Sequence, residues 1–415
     1  MSDVPSELAH EILRRLPAES LLRFRAVCKG WRRLIDSPSF IRTHAANQTS
    51  STTLLIRNSI GTRFCSLTLD SLNFEDTDQT IDLTPVKALY RTGVPRAPVL
   101  PVASCNGLIL NSHYDIDKTW VIWNPLTRQF HELPEFEGHS RLIGSGLGYD
   151  SVSDDYKVVR LDDHWGCRKT VRRTSIYGLK SDSWRVIENY PCDCIWPNQI
   201  VGVFLNGALH WLSRDSVIVL VLETGRYHKL PLPEPTGIAE LFETHLDVLG
   251  GCLVVSYYYM ITRLDGWVMK DYGVGDSWAK LFSFGELANI GAMGRLRPVA
   301  YFKNRGHVFL QHDDDFFWLD IANDSAKKVI VHGLPHNFTS QIVPGSLFRL
   351  DESCAAAVKI TAGTKRKRKT TIKKNKADAR VEHSVRITDV WSRSDSTPET
   401  SWSGNDDYYG DDEYF

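Results

Sequence analysis

The sequence predicts two parts of different class: a small trihelical all-α segment over residues 1–44, then an all-β domain over 50–355 that reads as a six-bladed β-propeller. Three observations carry this. Apolar residues recur at helical spacing between residues 5 and 35, short β-branched or aromatic runs alternate with Gly, Asn, Asp and Pro turns after residue 50, and one turn unit returns several times. With 42% hydrophobic and 11% aromatic residues in 415, the chain has enough apolar surface for a large core.

The helical part is punctuated by proline. Ser2 or Asp3 can cap a helix that Pro5 opens, and Leu8, Ile12, Leu13 and Leu16 form its apolar stripe. Pro17 ends that helix, and Ala18 to Arg25 restart one with Leu21, Leu22 and Phe24. A third short helix carries Val27, Trp31, Leu34 and Ile35, and Ser37-Pro38 is read as its stop. Three helices in about 40 residues are at the limit of independent stability, so their apolar excess calls for a partner or for the following domain.

The repeat of the β part is "WNPLTRQF" (123–130), "YGLKSDSW" (177–184), "VLETGRY" (221–227) and "DYGVGDSW" (271–278), with weaker copies at 67–74 and 318–329. Each joins an apolar strand end, a polar turn and, in the clear copies, an aromatic residue. Successive copies stand roughly 43 to 55 residues apart, the length of a four-stranded blade. Between them lie "SCNGLILNS", "LNGALHWLS" and "LGGCLVVSY", whose glycines tighten the approach to an inner strand. Six copies predict closure, with "SQIVPGSLFRL" (340–350) returning to complete the first blade. A β-sandwich is the alternative for the same strand content.

Residues 4–40, "VPSELAHEILRRLPAESLLRFRAVCKGWRRLIDSPSF", closely resemble the F-box in its plant form. Val4 in place of the usual Leu, and Ala18-Glu19 in place of an apolar-Lys pair, are mild departures. The resemblance implies docking onto a Skp-type adaptor and, through it, onto the cullin and RING subunits of a ubiquitin ligase. It assigns adaptor contact to Pro5, Leu8, Ile12, Leu13, Leu16, Pro17, Leu21, Val27 and Trp31. "GLGYDSVSDDYKVVR", "NPLTRQFHELP" and "LNGALHWL" are similar to the F-box-associated, kelch-like domain of plant F-box proteins, which holds the substrate. The chain then reads as the substrate receptor of an SCF-type ubiquitin ligase, promoting degradation of an unidentified target protein. A ligase-independent propeller scaffold or nuclear regulator is the alternative.

Composition narrows the partners. A net charge of −1, from 49 basic and 50 acidic residues, gives the whole chain no long-range attraction to nucleic acid or to an anionic membrane. The first residues do not resemble a signal sequence, and no stretch approaches the roughly 20 apolar residues of a membrane span, which places the protein inside the cell. The eight cysteines are scattered without a framework and read as free thiols.

No constellation for catalysis is visible: there is no GxSxG elbow, Walker loop or HExxH. Cys192 and Cys194 lack a second ligand pair, Asp154-Asp155 and Asp313-Asp314-Asp315 read as turn residues, and His210 reads as a satisfied core residue. The expectation is no enzyme, no metal and no cofactor.

Binding falls to loops at one face of the ring. "DDHWGCRKTVRR" (162–173) combines Trp165 with Arg168, Arg172 and Arg173, and Trp196 and Tyr258 lie on further candidate loops, the three tyrosines at 257–259 fitting equally an alternating strand with one face packed and one exposed. Residues 358–415 form a tail of low order with a basic run and an acidic, aromatic end. Lys365, Arg366, Lys367, Arg368 and Lys369 resemble a nuclear import signal, so both nucleus and cytoplasm are expected locations.

Overall fold

A computed structural model describes residues 6–47, 53–58, 63–69, 72, 80–86, 99–113, 120–136, 141–165, 170–187, 200–235, 241–259, 262–285, 296–302 and 306–350. Four helices come first: α1 (Ser6–Leu13), α2 (Ala18–Phe24), α3 (Lys29–Ile35) and α4 (Pro38–Asn47). The fourth was not expected. Ser37-Pro38 is a start, not a stop: the Ser37 hydroxyl accepts from the Phe40 amide at 3.3 Å, and Pro38 occupies the first helical position, where no N–H is needed. α4 returns a benefit to the first break, since buried His44 places Nε2 2.8 Å from the Leu16 carbonyl oxygen.

Six sheets follow, a six-bladed propeller: each has four strands in antiparallel order, and that of blade 6 gains a fifth, parallel strand. Blade 2 is Val99–Cys105, Leu108–His113, Trp120–Asn124 and Gln129–Glu132; blade 3 is Arg141–Asp150, Asp155–Trp165, Thr170–Gly178 and Ser183–Ile187. Blade 4 is Val203–Leu205, Ala208–Leu212, Ser216–Val221 and Arg226–Pro231; blade 5 is Leu241–Leu249, Cys252–Tyr259, Arg263–Met269 and Trp278–Phe284. Blade 6 is Leu296–Phe302, His307–His312, Asp315–Asp320 and Ser325–His332. Blade 1 is made from both ends of the domain: Thr53–Asn58, Phe64–Thr68 and Thr84–Val86 take Phe338–Ile342 as their first strand.

The ring is therefore fastened twice. Phe338–Ile342 pairs antiparallel with Thr53–Asn58 on the inside, and Thr80–Asp82 runs parallel to the outer strand of blade 6. Gln311 ties the inner clasp, donating to the Phe338 carbonyl at 3.0 Å and accepting from the Ser340 hydroxyl at 2.6 Å. Arg297 of blade 6 bridges Asp247 of blade 5 at 2.7 Å, and the pair holds the guanidinium pKa above its ordinary value.

Each seam between blades has its own apolar core, because residues alternate between the two faces of a strand and both faces are covered. Leu209 and Trp211 of blade 4 pack on Val159, Leu161 and Ile176 of blade 3, while Ala208 and Leu212 pack on Leu246, Val255 and Tyr257 of blade 5. That is why "ALHWL", "WVIWN" and "SVIVLV" are apolar without alternation. The glycine signatures are the hairpins joining first to second strands. Asn106-Gly107 and Asn206-Gly207 both have positive φ (47° and 79°, 49° and 73°), the two-residue turn whose twist suits a hairpin.

The aromatic residue of the repeat has a definite use: in blades 3, 4 and 5 it fastens the outer strand to the blade before it. Trp184 Nε1 donates to the Pro134 carbonyl at 2.9 Å, Trp278 Nε1 to the Pro231 carbonyl at 2.9 Å, and Tyr227 shares a hydrogen bond with Thr174 at 2.8 Å. Removing one such donor costs about 1 kcal/mol. Trp184→Phe and Trp278→Phe should each lower the unfolding free energy in urea by about that amount, without changing the slope of the transition.

His210 gives a pH dependence. Its Nδ1 lies 3.1 Å from the Val203 carbonyl, which can only accept, so Nδ1 carries the proton and Nε2 accepts from the Tyr272 hydroxyl at 2.8 Å. Burial pushes its pKa from 6.5 down to about 4. The unfolded chain gains a proton near pH 6.5 that the folded one refuses until near pH 4, so this contribution is complete above 6.5 and is lost as pH falls. The loss should reach about 3 kcal/mol at pH 4, read from urea midpoints, and His210→Gln should flatten that slope by one proton.

Candidate functional site

The apolar residues of the helices divide into two sets. Leu13, Leu21, Ile35 and Phe40 are fully buried, and their cluster includes Leu347 from beyond the last strand, with Leu126 of blade 2 packed against it. Leu8, Ile12 and Val27 point outward at 56%, 54% and 61% exposure. Leu8 and Ile12 stand one turn apart on α1, and Val27 lies in the link between α2 and α3. Pro17 is exposed; Leu16 and Trp31 are half-buried, with Trp31 edge-on to Phe24 at 5.6 Å. Pro5 lies outside the described residues. Two of the expected contact residues, Leu13 and Leu21, are thus internal: they face the turn side of α1 and α2 that meets the other helices and Leu347.

Antiparallel blades give the ring two unlike ends. Turns between first and second strands, and between third and fourth, lie at one end; the other connections lie opposite. The helices sit at the first end. Arg42 of α4 pairs with Asp154, in the first turn of blade 3, at 2.8 Å, and Leu126 lies in the outer turn of blade 2. Asp154 adopts positive φ (51°) and is also held by Lys180 at 3.0 Å and by the Tyr149 hydroxyl. Between helices and blade 2 is a cavity of about 210 Å³ lined by Leu22, Arg25, Asp36, Leu126, Gln129 and Arg349, among others. Arg25 closes onto Asp36 at 2.6 Å.

Of the residues expected to hold a target, Trp165, Arg172 and Arg173 stand at the opposite end, though not in a loop of twelve. Asp162 to Trp165 and Thr170 to Arg173 continue the strands of blade 3, so only residues 166–169, Arg168 among them, fall between strands, outside the described residues. Arg172 pairs with Asp163 directly across the hairpin at 3.2 Å. Arg173 is half-buried, and fully buried Asp162 holds Arg160 at 2.9 Å, whose guanidinium lies over Phe136 and Trp120. Trp165 closes the second strand of blade 3. Tyr258 is corrected: it is buried in the seam between blades 5 and 6 with Leu264 and Val308, because on a strand covered on both sides the even positions are core as well as the odd. Trp196, Cys192, Cys194 and residues 365–369 lie outside the described residues. Among the described residues no group of three His, Cys, Asp or Glu side chains is placed to hold a metal, and no helix is long and apolar enough to cross a membrane.

A helical unit with an uncovered apolar face, seated on a propeller whose other end carries the longer connections, defines a binding protein built of two interaction modules. The comparisons specify which. Residues 1–43 match the F-box domain, and residues 58–342 match the F-box associated beta propeller domain, so the chain belongs to the F-box proteins with an associated propeller. It is 30% identical over 384 residues to the F-box protein CPR1 of Arabidopsis thaliana, covering 84% of this chain and 89% of that one. An F-box/kelch-repeat protein of the same plant is 30% identical over 297 residues, covering 68% of this chain and 79% of the relative.

The two apolar sets make opposite predictions. Leu13→Ala should destabilise the helical unit by about 3 kcal/mol through the cavity it leaves. Substituting Leu8, Ile12 and Val27 together by serine should change the melting temperature little while reducing the binding of a hydrophobic dye.

Proposed function

We propose that the chain is the substrate receptor of an SCF-type ubiquitin ligase: the helices dock a Skp-type adaptor, which brings cullin and RING subunits, and the propeller captures a target protein for ubiquitination and degradation. The observation that carries this reading is the outward apolar face of Leu8, Ile12 and Val27 on a unit whose other large apolar residues are packed. Exposed aliphatic residues on short helices are costly in water and are covered by association. The target is taken at the end of the ring opposite the helices, so adaptor and target do not compete for surface. The chain contributes no catalysis; it holds a lysine of the target near a charged conjugating enzyme, converting a bimolecular encounter into a nearly intramolecular one. The basic run at residues 365–369 directs part of the protein to the nucleus, the rest remaining in the cytoplasm.

One observation favours a second reading, a propeller scaffold that acts without the ligase: the helices are already packed on their own propeller through Leu347 and Leu126. Co-expression with a plant Skp-type adaptor separates the two. The wild type should co-elute with the adaptor in size-exclusion chromatography, and Ile12→Asp with Val27→Asp, both at exposed sites, should abolish co-elution while the protein stays folded. A folded wild type that elutes alone would favour the scaffold.

A further inference from the structure

The strand that closes the ring does not end the ordered chain. Residues 343–350 continue across the helix end of blade 2, and their side chains divide between the two modules. Leu347 enters the helical core beside Leu13, Leu21 and Phe40. Phe348 packs edge-on against Tyr156 of blade 3 at 4.8 Å, and Leu350 is buried in the seam between blades 2 and 3. Gly345 lies so close to α2 that a β-carbon there would stand 2.9 Å from the Ala18 side chain. The helices thus rest on this segment as much as on the blades.

Its hold on the propeller depends on a departure from the repeat. The last residue of the third strand is Gly178 in blade 3, Val221 in blade 4 and Asp320 in blade 6; in blade 2 it is Asn124. Asp320 uses one carboxylate oxygen to fasten its own turn, accepting from the amides of Ala322 at 3.0 Å and Asn323 at 3.2 Å. Asn124 does the same toward Leu126 and Thr127, at 3.0 and 3.2 Å. Its other half is different. Nδ2 donates to the carbonyls of Ser346 at 3.0 Å and Phe348 at 2.9 Å, so a fully buried amide spends every bond, half on its turn and half on residues 346–348. The inner hairpin of blade 2 is adapted as well. Gly107 and Gly207 occupy the same turn position with positive φ, but a β-carbon at Gly107 would lie 2.3 Å from the Pro344 carbonyl oxygen, whereas at Gly207 it would meet nothing.

We propose that residues 343–350 are a latch that seats the helical unit on the propeller, and that Asn124 is its positioning residue. Because the latch directly follows the closing strand, the helices take a fixed orientation only on a closed ring. What the seat is for, holding the target at a set distance from the ligase machinery, rests on the receptor reading; the seat itself does not.

Asn124→Asp is the discriminating variant, since aspartate supports the same turn in blade 6 yet cannot donate to the two latch carbonyls. In the full-length protein, amide hydrogen exchange should rise roughly tenfold or more in α2, α3 and residues 345–350, with blades 4 and 5 unchanged. Asp320→Asn, at the matching position with no latch above it, should leave the helices at the wild-type rate. Leu347→Ala, which keeps the Asn124 hydrogen bonds to Ser346 and Phe348, should also loosen the helices and serves if the first variant does not fold. Helical exchange at the wild-type rate in the folded variants, or equal acceleration by Asp320→Asn, would overturn the proposal. Wild type and Asn124→Asp should both co-elute with the adaptor; if neither does, the receptor reading fails while the exchange result still decides the seat.

Discussion

Everything in this protein depends on covering both faces of every sheet. A blade with core on each side cannot be exposed on either, so the row of blades must bend until its ends meet, and the meeting must be secured. Here it is secured at two radii, by Phe338–Ile342 inside and Thr80–Asp82 outside, which makes the first blade a joint product of sequence segments nearly 300 residues apart in the chain. Closing so long a loop carries a high entropic cost. The buried tie of Gln311 to Ser340 and Phe338 compensates by making that register specific, since slipping it by one residue would leave the amide only its bond to the Asp313 carbonyl of its own blade.

Much of this architecture was legible because the repeat is written in turn chemistry. Asn-Gly and Gly-Gly pairs can adopt positive φ where other residues resist, and the aromatic after the outer turn marks the residue that reaches the preceding blade. The count of six and the return of the chain near residue 340 followed from spacing. What was not legible depended on neighbours distant in sequence. Nothing in "VPGSLFRL" distinguishes a strand from a segment shared between two modules; only the position of Asn124 beneath it does. Thr80–Asp82 is too short to carry a pattern. Ser37-Pro38 did carry one, the cap and first-turn proline of α4, but the same pair also ends helices. Tyr258 was misplaced because alternation was read as one face in and one face out, whereas a blade has no outward face at that depth.

The helices show the same limit from the other direction. Their apolar excess was real, and it has two destinations. Leu13 and Leu21 are used at home, against the latch and the other helices, while Leu8, Ile12 and Val27 are left uncovered. A hydrophobic stripe states how much surface must be hidden; it does not state from which side the cover comes. Arg42 with Asp154 adds little energy, since both side chains are about half exposed, but it fixes direction at the edge of the contact.

The two ends of the ring also differ in how freely they can vary. At the helix end, Asn106-Gly107 and Asn206-Gly207 are turns of minimal length whose backbone sign admits few residues, and one of them touches the latch. At the far end, the step from blade 3 to blade 4 spans residues 188–200. The chain is held again at Ile200, whose carbonyl accepts from the Ser145 amide of the inner strand of blade 3 at 2.8 Å. The two ends therefore tolerate change unequally: the helical end is bound by turn geometry and by the latch, and on the proposed receptor reading the far end alone can be altered to change what is bound.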